Sequence, residues 1–239
     1  PSTSYKKQGR GGKGVKAASS DEDVIEHLLS TSVHAYLLFF TDQGKVYRAK
    51  AHELPKTTRT AQGSLIHNVL SMSQDEKVQA IIDTRDYETE KFLLIMTEKG
   101  TIKKSAFKDF DSNYKSLQAI KLKDDDKVVS VKTTSGTEDV ILVSRKGQAI
   151  RFDENNLKPQ GRTAMGVRGI KLREGDKVVG AATSRDETLL FITAKGYGKR
   201  TNLDEFRKAG RGGMGVKALK VTEVKGDLIG ARSVDEDTE

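Results

Sequence analysis

The sequence predicts an all-β protein, a propeller-type disc assembled from units of about 50 residues, each a small sheet of four strands. Three observations carry that expectation. An apolar run closed by Thr/Ser-x-x-Gly returns four times, at residues 37–44, 93–100, 140–147 and 189–196. Three further short segments return in step with it. The 3.6-residue periodicity that helical repeats of similar length require is missing, and only residues 204–208 hint at a helical turn.

Within each unit the apolar run reads as a first strand, and Gly44, Gly100, Gly147 and Gly196 supply the positive φ of a tight hairpin turn. A short basic strand follows: Val46-Tyr47-Arg48, Ile102-Lys103-Lys104, Ile150-Arg151 and Gly198-Lys199-Arg200. A third strand is expected at Val78-Gln79-Ala80, Val128-Val129-Ser130-Val131, Val178-Val179-Gly180-Ala181 and Leu228-Ile229-Gly230-Ala231, each shortly after acidic residues. A fourth alternates apolar and polar side chains at Ile120-Lys121-Leu122, Ile170-Lys171-Leu172 and Leu219-Lys220-Val221. Pro55 and Pro159 fall in connections, where a missing N–H breaks no ladder.

Four hairpins are accompanied by five copies of a loop-plus-strand segment, starting at residues 8, 59, 112, 160 and 209. The repeat segments lie near 5–50, 59–105, 112–152, 160–201 and 209–233 and read as one domain over residues 1–239. The chain opens and closes within a unit, so strands from the two ends are expected to complete shared blades. It starts at Pro1 without an initiator Met, which leads us to expect a fragment of something longer.

Charge points toward nucleic acid. The 239 residues hold 42 Lys and Arg against 34 Asp and Glu, a net charge of +8. Residues 1–20 carry Lys6, Lys7, Arg10, Lys13 and Lys16 with no acid, whereas Asp235, Glu236, Asp237 and Glu239 crowd the other end. With no Cys, disulfides and thiolate metal sites are excluded, which fits a cytoplasmic protein. The apolar runs are too short for a membrane helix.

Gln8-Gly9-Arg10-Gly11-Gly12-Lys13-Gly14 returns in altered form as residues 209–215. Glycines in such a loop let the backbone approach phosphates closely, while the cations neutralise charge. Both copies satisfy G-x-G-x-x-G, but neither follows a buried strand and opens a helix, so a dinucleotide fold is rejected. No Walker loop, nucleophile motif or metal spacing appears among His27, His34, His52 and His67. Acidic runs such as Asp124-Asp125-Asp126 read as solvated turns, and the aromatic residues as core.

Over essentially the whole chain, these residues resemble the C-terminal domain of the bacterial DNA gyrase A subunit. Residues 8–14 resemble that family's box, Gln-Arg-Arg-Gly-Gly-Arg/Lys-Gly, with Gly9 in place of its first Arg. Residues 23–28, 39–41, 44–48 and 195–201 are also family-like. The resemblance implies a β-pinwheel, a propeller-like disc whose blades exchange strands, wrapping double-stranded DNA around a basic perimeter to support ATP-dependent negative supercoiling. It implies no catalytic residue and no cofactor here, with ATP and Mg²⁺ on other parts of the holoenzyme. The implied partners are DNA, the gyrase A breakage-reunion domain and gyrase B, in the bacterial nucleoid. The implied DNA-binding set is the box, Lys6, Lys7 and Lys16, with rim cations Arg48, Arg59, Lys103, Lys104, Arg151, Arg162, Arg168, Lys199, Arg200, Arg211 and Lys217. Two other readings stay open: a topoisomerase IV C-terminal domain that bends DNA, and a protein-binding propeller.

Overall fold

A computed structural model describes residues 26–56, 64–185 and 187–234. Among them, β1 (Tyr36–Thr41), β2 (Lys45–Lys50), β3 (Val78–Asp83), β4 (Phe92–Thr97) and β5 (Thr101–Ala106) are followed by the short β6 (Ser116–Gln118). Next come β7 (Val128–Thr134), β8 (Asp139–Ser144), β9 (Gln148–Asp153) and β10 (Val167–Arg168). The order ends with β11 (Val178–Thr183), β12 (Thr188–Thr193), β13 (Gly198–Asn202), β14 (Val216–Lys217) and β15 (Leu228–Val234). The all-β expectation holds.

Four antiparallel sheets result, ordered β3-β1-β2-β6, β7-β4-β5-β10, β11-β8-β9-β14 and β15-β12-β13. Each hairpin takes its inner strand from the segment that follows it. Its outer strand comes from further along, beyond the next hairpin: β6 crosses from past β5 to pair with β2, and β14 from past β13 to pair with β9. The fourth sheet has three strands among the described residues.

In β4 and β8 the first hairpin strand is apolar without alternation because both of its faces are covered by neighbouring sheets, whereas β12 leaves Ile192 45% exposed. Leu38 and Phe40 pack with Leu93 and Ile95, Leu94 and Met96 pack with Val140 and Leu142, and Ile141 and Val143 pack with Leu189 and Phe191. Alternate residues thus face alternate neighbours, and each fully buried side chain contributes about 1.5–3 kcal/mol. On the first sheet's other face Leu37 and Phe39 are covered by α1 (Ile66–Leu70) through Leu70, and by Met72. The inner strands β3, β7, β11 and β15 line an axial cavity of about 930 Å³.

Turn chemistry matches the sequence. Gly44, Gly100, Gly147 and Gly196 have φ of +78°, +85°, +84° and +78°. The hydroxyl of Thr41, Thr97, Ser144 or Thr193 accepts from the backbone N–H four residues on. The turn glycine also seats the following outer segment. Gly44 O accepts from the N–H groups of Ala119 and Ile120, Gly100 O from Gly169 and Ile170, and Gly147 O from Ala218 and Leu219. A Cβ at Gly44 would lie 2.7 Å from Ile120 O.

That seating corrects the expected fourth strand. Ile120-Lys121-Leu122 and its copies are not strands; the ladder ends just before them, in β6, β10 and β14. Their alternation instead puts Ile120, Ile170 and Leu219 against the turn glycines and leaves Lys121, Lys171 and Lys220 exposed. The acidic turn is not wholly solvated either: Asp126 is buried and accepts the Lys99 and Lys127 N–H groups. Short 3-10 turns at Ala51–Glu53, Phe107–Phe110, Glu154–Asn156 and Leu203–Glu205 close the second strands, and they and α1 are too brief to leave a periodic signal.

Gly44 and Gly196 share the same φ, but nothing lies within 4 Å of a Cβ at Gly196. Both Ala substitutions incur the positive-φ strain, and only Gly44→Ala also collides with backbone. Gly44→Ala is therefore expected to cost roughly 1–3 kcal/mol more than Gly196→Ala in urea denaturation. Equal costs would show that the outer segment is not held by this seat.

Candidate nucleic-acid interface

The second hairpin strand lies beneath the borrowed outer strand, and this overturns four of the expected rim cations. Lys104 is 3% exposed and its Nζ lies 2.9 Å from Glu154, on the neighbouring unit. Glu154 also accepts from Thr134 Oγ1 and the Glu138 N–H. Arg151 pairs with Asp139 at 2.8 Å and donates to Leu203 O at 2.7 Å. The Arg48 guanidinium stacks 3.7 Å from the centroid of the Tyr36 ring, pairs with Asp111 and donates to Ser112 O. These cations recur because they join one blade to the next.

Lys103 is the fourth. It is 1% exposed, and its ammonium donates to Ala119 O, Gly161 O and Arg162 O at 2.5, 3.0 and 2.7 Å. Burial pulls its pKa down to about 8; Asp109 opposes the fall and Arg162 adds to it. Lys103 therefore supports a rim loop from beneath. Lys199 and Arg200 are exposed instead, since β13 carries no outer strand among the described residues. Lys199 reaches Ala218 O at 3.4 Å and Arg200 donates to Thr188 Oγ1 at 3.0 Å.

The outer edge itself is built from β6, β10, β14 and the loops that lead into them. Arg168, Arg211 and Lys217 are exposed there, and Arg162 is half-buried with its Nη1 unpartnered. Arg211 donates to the carbonyls of Asn156 and Arg168. The loops are tied together through backbone: Lys121 N–H donates to Ala164 O, Lys171 N–H to Gly213 O, and Gly212 N–H to Gly169 O. Sequence reasoning missed the exposed cations Lys115, Lys121, Lys171 and Lys220. The last three recur at one position per unit, a signal present in the sequence but read there as part of a strand.

Lys6, Lys7, the box residues 8–14, Lys16 and Arg59 lie outside the described residues, as does the acidic tail at 235–239. Among the described residues no group of His, Asp or Glu is arranged to hold a metal ion, and no helix is long and apolar enough to cross a membrane.

The sequence matches the family described as DNA gyrase C-terminal domain, beta-propeller, over residues 1–34, 35–84, 91–135, 138–185 and 187–235. The chain belongs to this family. It is 40% identical over 183 residues to the DNA gyrase A subunit of Staphylococcus aureus, a match that covers 75% of this chain and 21% of that protein. The matched stretch thus spans about a fifth of the length of that relative. Among solved structures, the C-terminal domain of DNA topoisomerase IV superposes with a TM-score of 0.82 at 31% identity, covering 92% of this chain and 70% of that one. A DNA gyrase A C-terminal domain superposes with a TM-score of 0.77 at 30% identity, covering 98% and 78%. The exchanged outer strands are those of the family's β-pinwheel, with the rim loops on its perimeter.

Two measurements separate internal from perimeter cations. Lys104→Ala strands Glu154 without its partner, so it is expected to cost about 3–5 kcal/mol in urea denaturation, whereas Arg168→Ala stays within about 0.5 kcal/mol. Equal effects would return Lys104 to the rim. For Lys103, between pH 8 and the ordinary lysine value of 10.5 the unfolded chain holds a proton that the native chain has released. Wild-type stability relative to Lys103→Met should then rise across that window, and a flat difference would mean the ammonium is not penalised by burial.

Proposed function

We propose that this chain binds double-stranded DNA with little sequence preference and wraps it around the outer edge of the disc. The observation that carries this reading is the row of exposed cations on successive blades: Lys121, Lys171 and Lys220 after the outer strands, with Arg168 and Lys217 within them. No element described on this edge has the form of a helix or two-stranded ribbon for reading base edges in a major groove. Each phosphate neutralised releases condensed counterion, and bending a site by 40–90° costs of order 1–6 kcal/mol, which several such contacts offset.

In the longer protein, the wrapped segment would be presented to a breakage-reunion domain with a defined handedness, so that ATP-driven strand passage with gyrase B introduces negative supercoils. ATP and Mg²⁺ would act there rather than on this chain, within the bacterial nucleoid. The near match to the box at residues 8–14 supports this gyrase reading. The topoisomerase IV reading, bending without a full wrap, draws support from the higher TM-score of that structure, 0.82 against 0.77.

Binding is expected to weaken linearly in log–log salt plots with a slope of several units, about 0.9 per phosphate contact. Ligating nicked circles with the bound chain should shift the linking number. Arg10→Ala with Lys13→Ala should abolish most of that shift while binding survives, and Arg211→Ala should reduce it less. A salt-insensitive, sequence-selective complex would exclude the wrapping reading. A small shift that the box substitutions leave unchanged would favour the topoisomerase IV reading.

A further inference from the structure

The perimeter loop of the second sheet begins as the box does. Gln160-Gly161-Arg162, with Gly166 and Val167, repeats Gln8-Gly9-Arg10, with Gly14 and Val15, at the same spacing, and keeps the glutamine that residues 209–215 replace by Ala209. The loop is held from inside the disc. Lys103, 1% exposed, donates from its ammonium to Gly161 O and Arg162 O at 3.0 and 2.7 Å, and to Ala119 O beside Gly44 of the first sheet. A planar trans peptide sets its N–H opposite its C=O, so drawing these two carbonyls inward turns the N–H groups of Arg162 and Thr163 outward. Among the described residues neither N–H has an acceptor.

Room and charge accompany the two donors. Gly161 and Thr163 are exposed, and nothing lies within 4 Å of a Cβ at Gly161, so a ligand can approach the backbone closely. Lys103 and the half-buried Arg162, whose Nη1 has no partner among the described residues, place two positive charges at the loop. The other described loops lack this arrangement. Three residues after the turn glycine, where the second sheet has Lys103, the third has Ile150 and the first has Tyr47, whose hydroxyl donates to Glu76. In the third sheet Arg211 donates to Asn156 O and Arg168 O, and the Gly212 N–H, in the place of Thr163, donates to Gly169 O. In the first sheet Asp111 stands where Gly161 does.

We propose that residues 161–163 are a seat for one backbone phosphate of the wrapped duplex, gripped by the Arg162 and Thr163 N–H groups, with Lys103 as the positioning residue that aims them. The inference rests on the DNA-wrapping reading above. Successive N–H groups in a turn make a concavity that binds anions, and positive charge behind them favours the anion further. Such contacts fix where a duplex lies without reading its sequence. A lone carboxylate on a protein partner fits less well. The exposed Lys121, whose N–H is bonded to Ala164 O, and the exposed Arg168 continue the positive charge beyond the loop, which suits a ligand with anionic groups repeated along its length. The ammonium of Lys103 lies beneath the surface, so its effect on DNA runs through the loop it holds.

The test follows the backbone amide resonances of the 239-residue chain by NMR while a short duplex of mixed sequence is added. In wild type the Arg162 and Thr163 amide protons should move downfield and saturate, whereas that of Gly212, already bonded, should move little. Lys103→Met should abolish the two shifts and lower the salt slope of binding by about 0.9, the loss of one phosphate contact, while resonances around Lys220 still respond. Gly161→Val adds bulk that meets only open space in the free chain, so it should fold normally and lose the same two shifts. Thermal melts of both variants establish that they are folded. If wild type binds with its salt dependence and the Arg162 and Thr163 amides do not move, or move as far in Lys103→Met, the seat is refuted and wrapping stands. If wild type shows no salt-dependent binding, the wrapping reading itself fails and takes the seat with it.

Discussion

No sheet that carries an outer strand is finished by its own hairpin and inner strand. β6 closes a sheet that begins about 80 residues earlier at Tyr36, and β10 and β14 repeat the crossing one unit further along. A three-stranded sheet with an open edge is a pairing hazard, and here the edge is covered by a strand that must first pass its neighbour. The seat for that strand is narrow. It depends on a turn glycine whose carbonyl receives two N–H groups and whose missing side chain leaves room for Ile120, Ile170 or Leu219.

Once the outer strand is in place, the strand beneath it loses its exposure, and the charges it carries must find partners. Lys104 with Glu154 and Arg151 with Asp139 and Leu203 O show how they do so. Replacing such pairs by apolar residues of similar volume is often neutral, so their contribution lies less in net energy than in fixing how one blade sits against the next. Lys103 goes further, holding an ammonium group on three carbonyl oxygens with no carboxylate in contact among the described residues. Two of those carbonyls, Gly161 and Arg162, belong to a perimeter loop, so a buried charge on one strand positions the surface that is proposed to meet DNA.

The same residue type therefore serves two purposes. Lys104 is a joint and Lys121 is exposed: the first is held against Glu154 of the neighbouring unit and the second stands outside the segment seated on Gly44, and they do not differ in chemistry. The backbone bonds between the perimeter loops of the first three sheets tie that exposed row together from one blade to the next.

Much of this fold was legible in the sequence because its signals are local. Unbroken apolar runs marked strands, covered on both faces in β4 and β8, and Thr/Ser-x-x-Gly marked turns whose hydroxyl and positive φ are set within five residues. The exchange of strands between blades was implied by the family resemblance rather than by the count of repeats. The nature of the family was also carried by local residues, since the matched repeats run from residue 1 to residue 235. What the sequence could not disclose is which cations face water. Burial at Lys103 and Lys104, and partial burial at Arg48 and Arg151, is imposed by strands and loops lying tens of residues away, and Lys121, Lys171 and Lys220 are exposed because their apolar neighbours are drawn onto glycines of another unit. A side chain's type is written in the chain, but its solvation is decided only when distant segments pack over it.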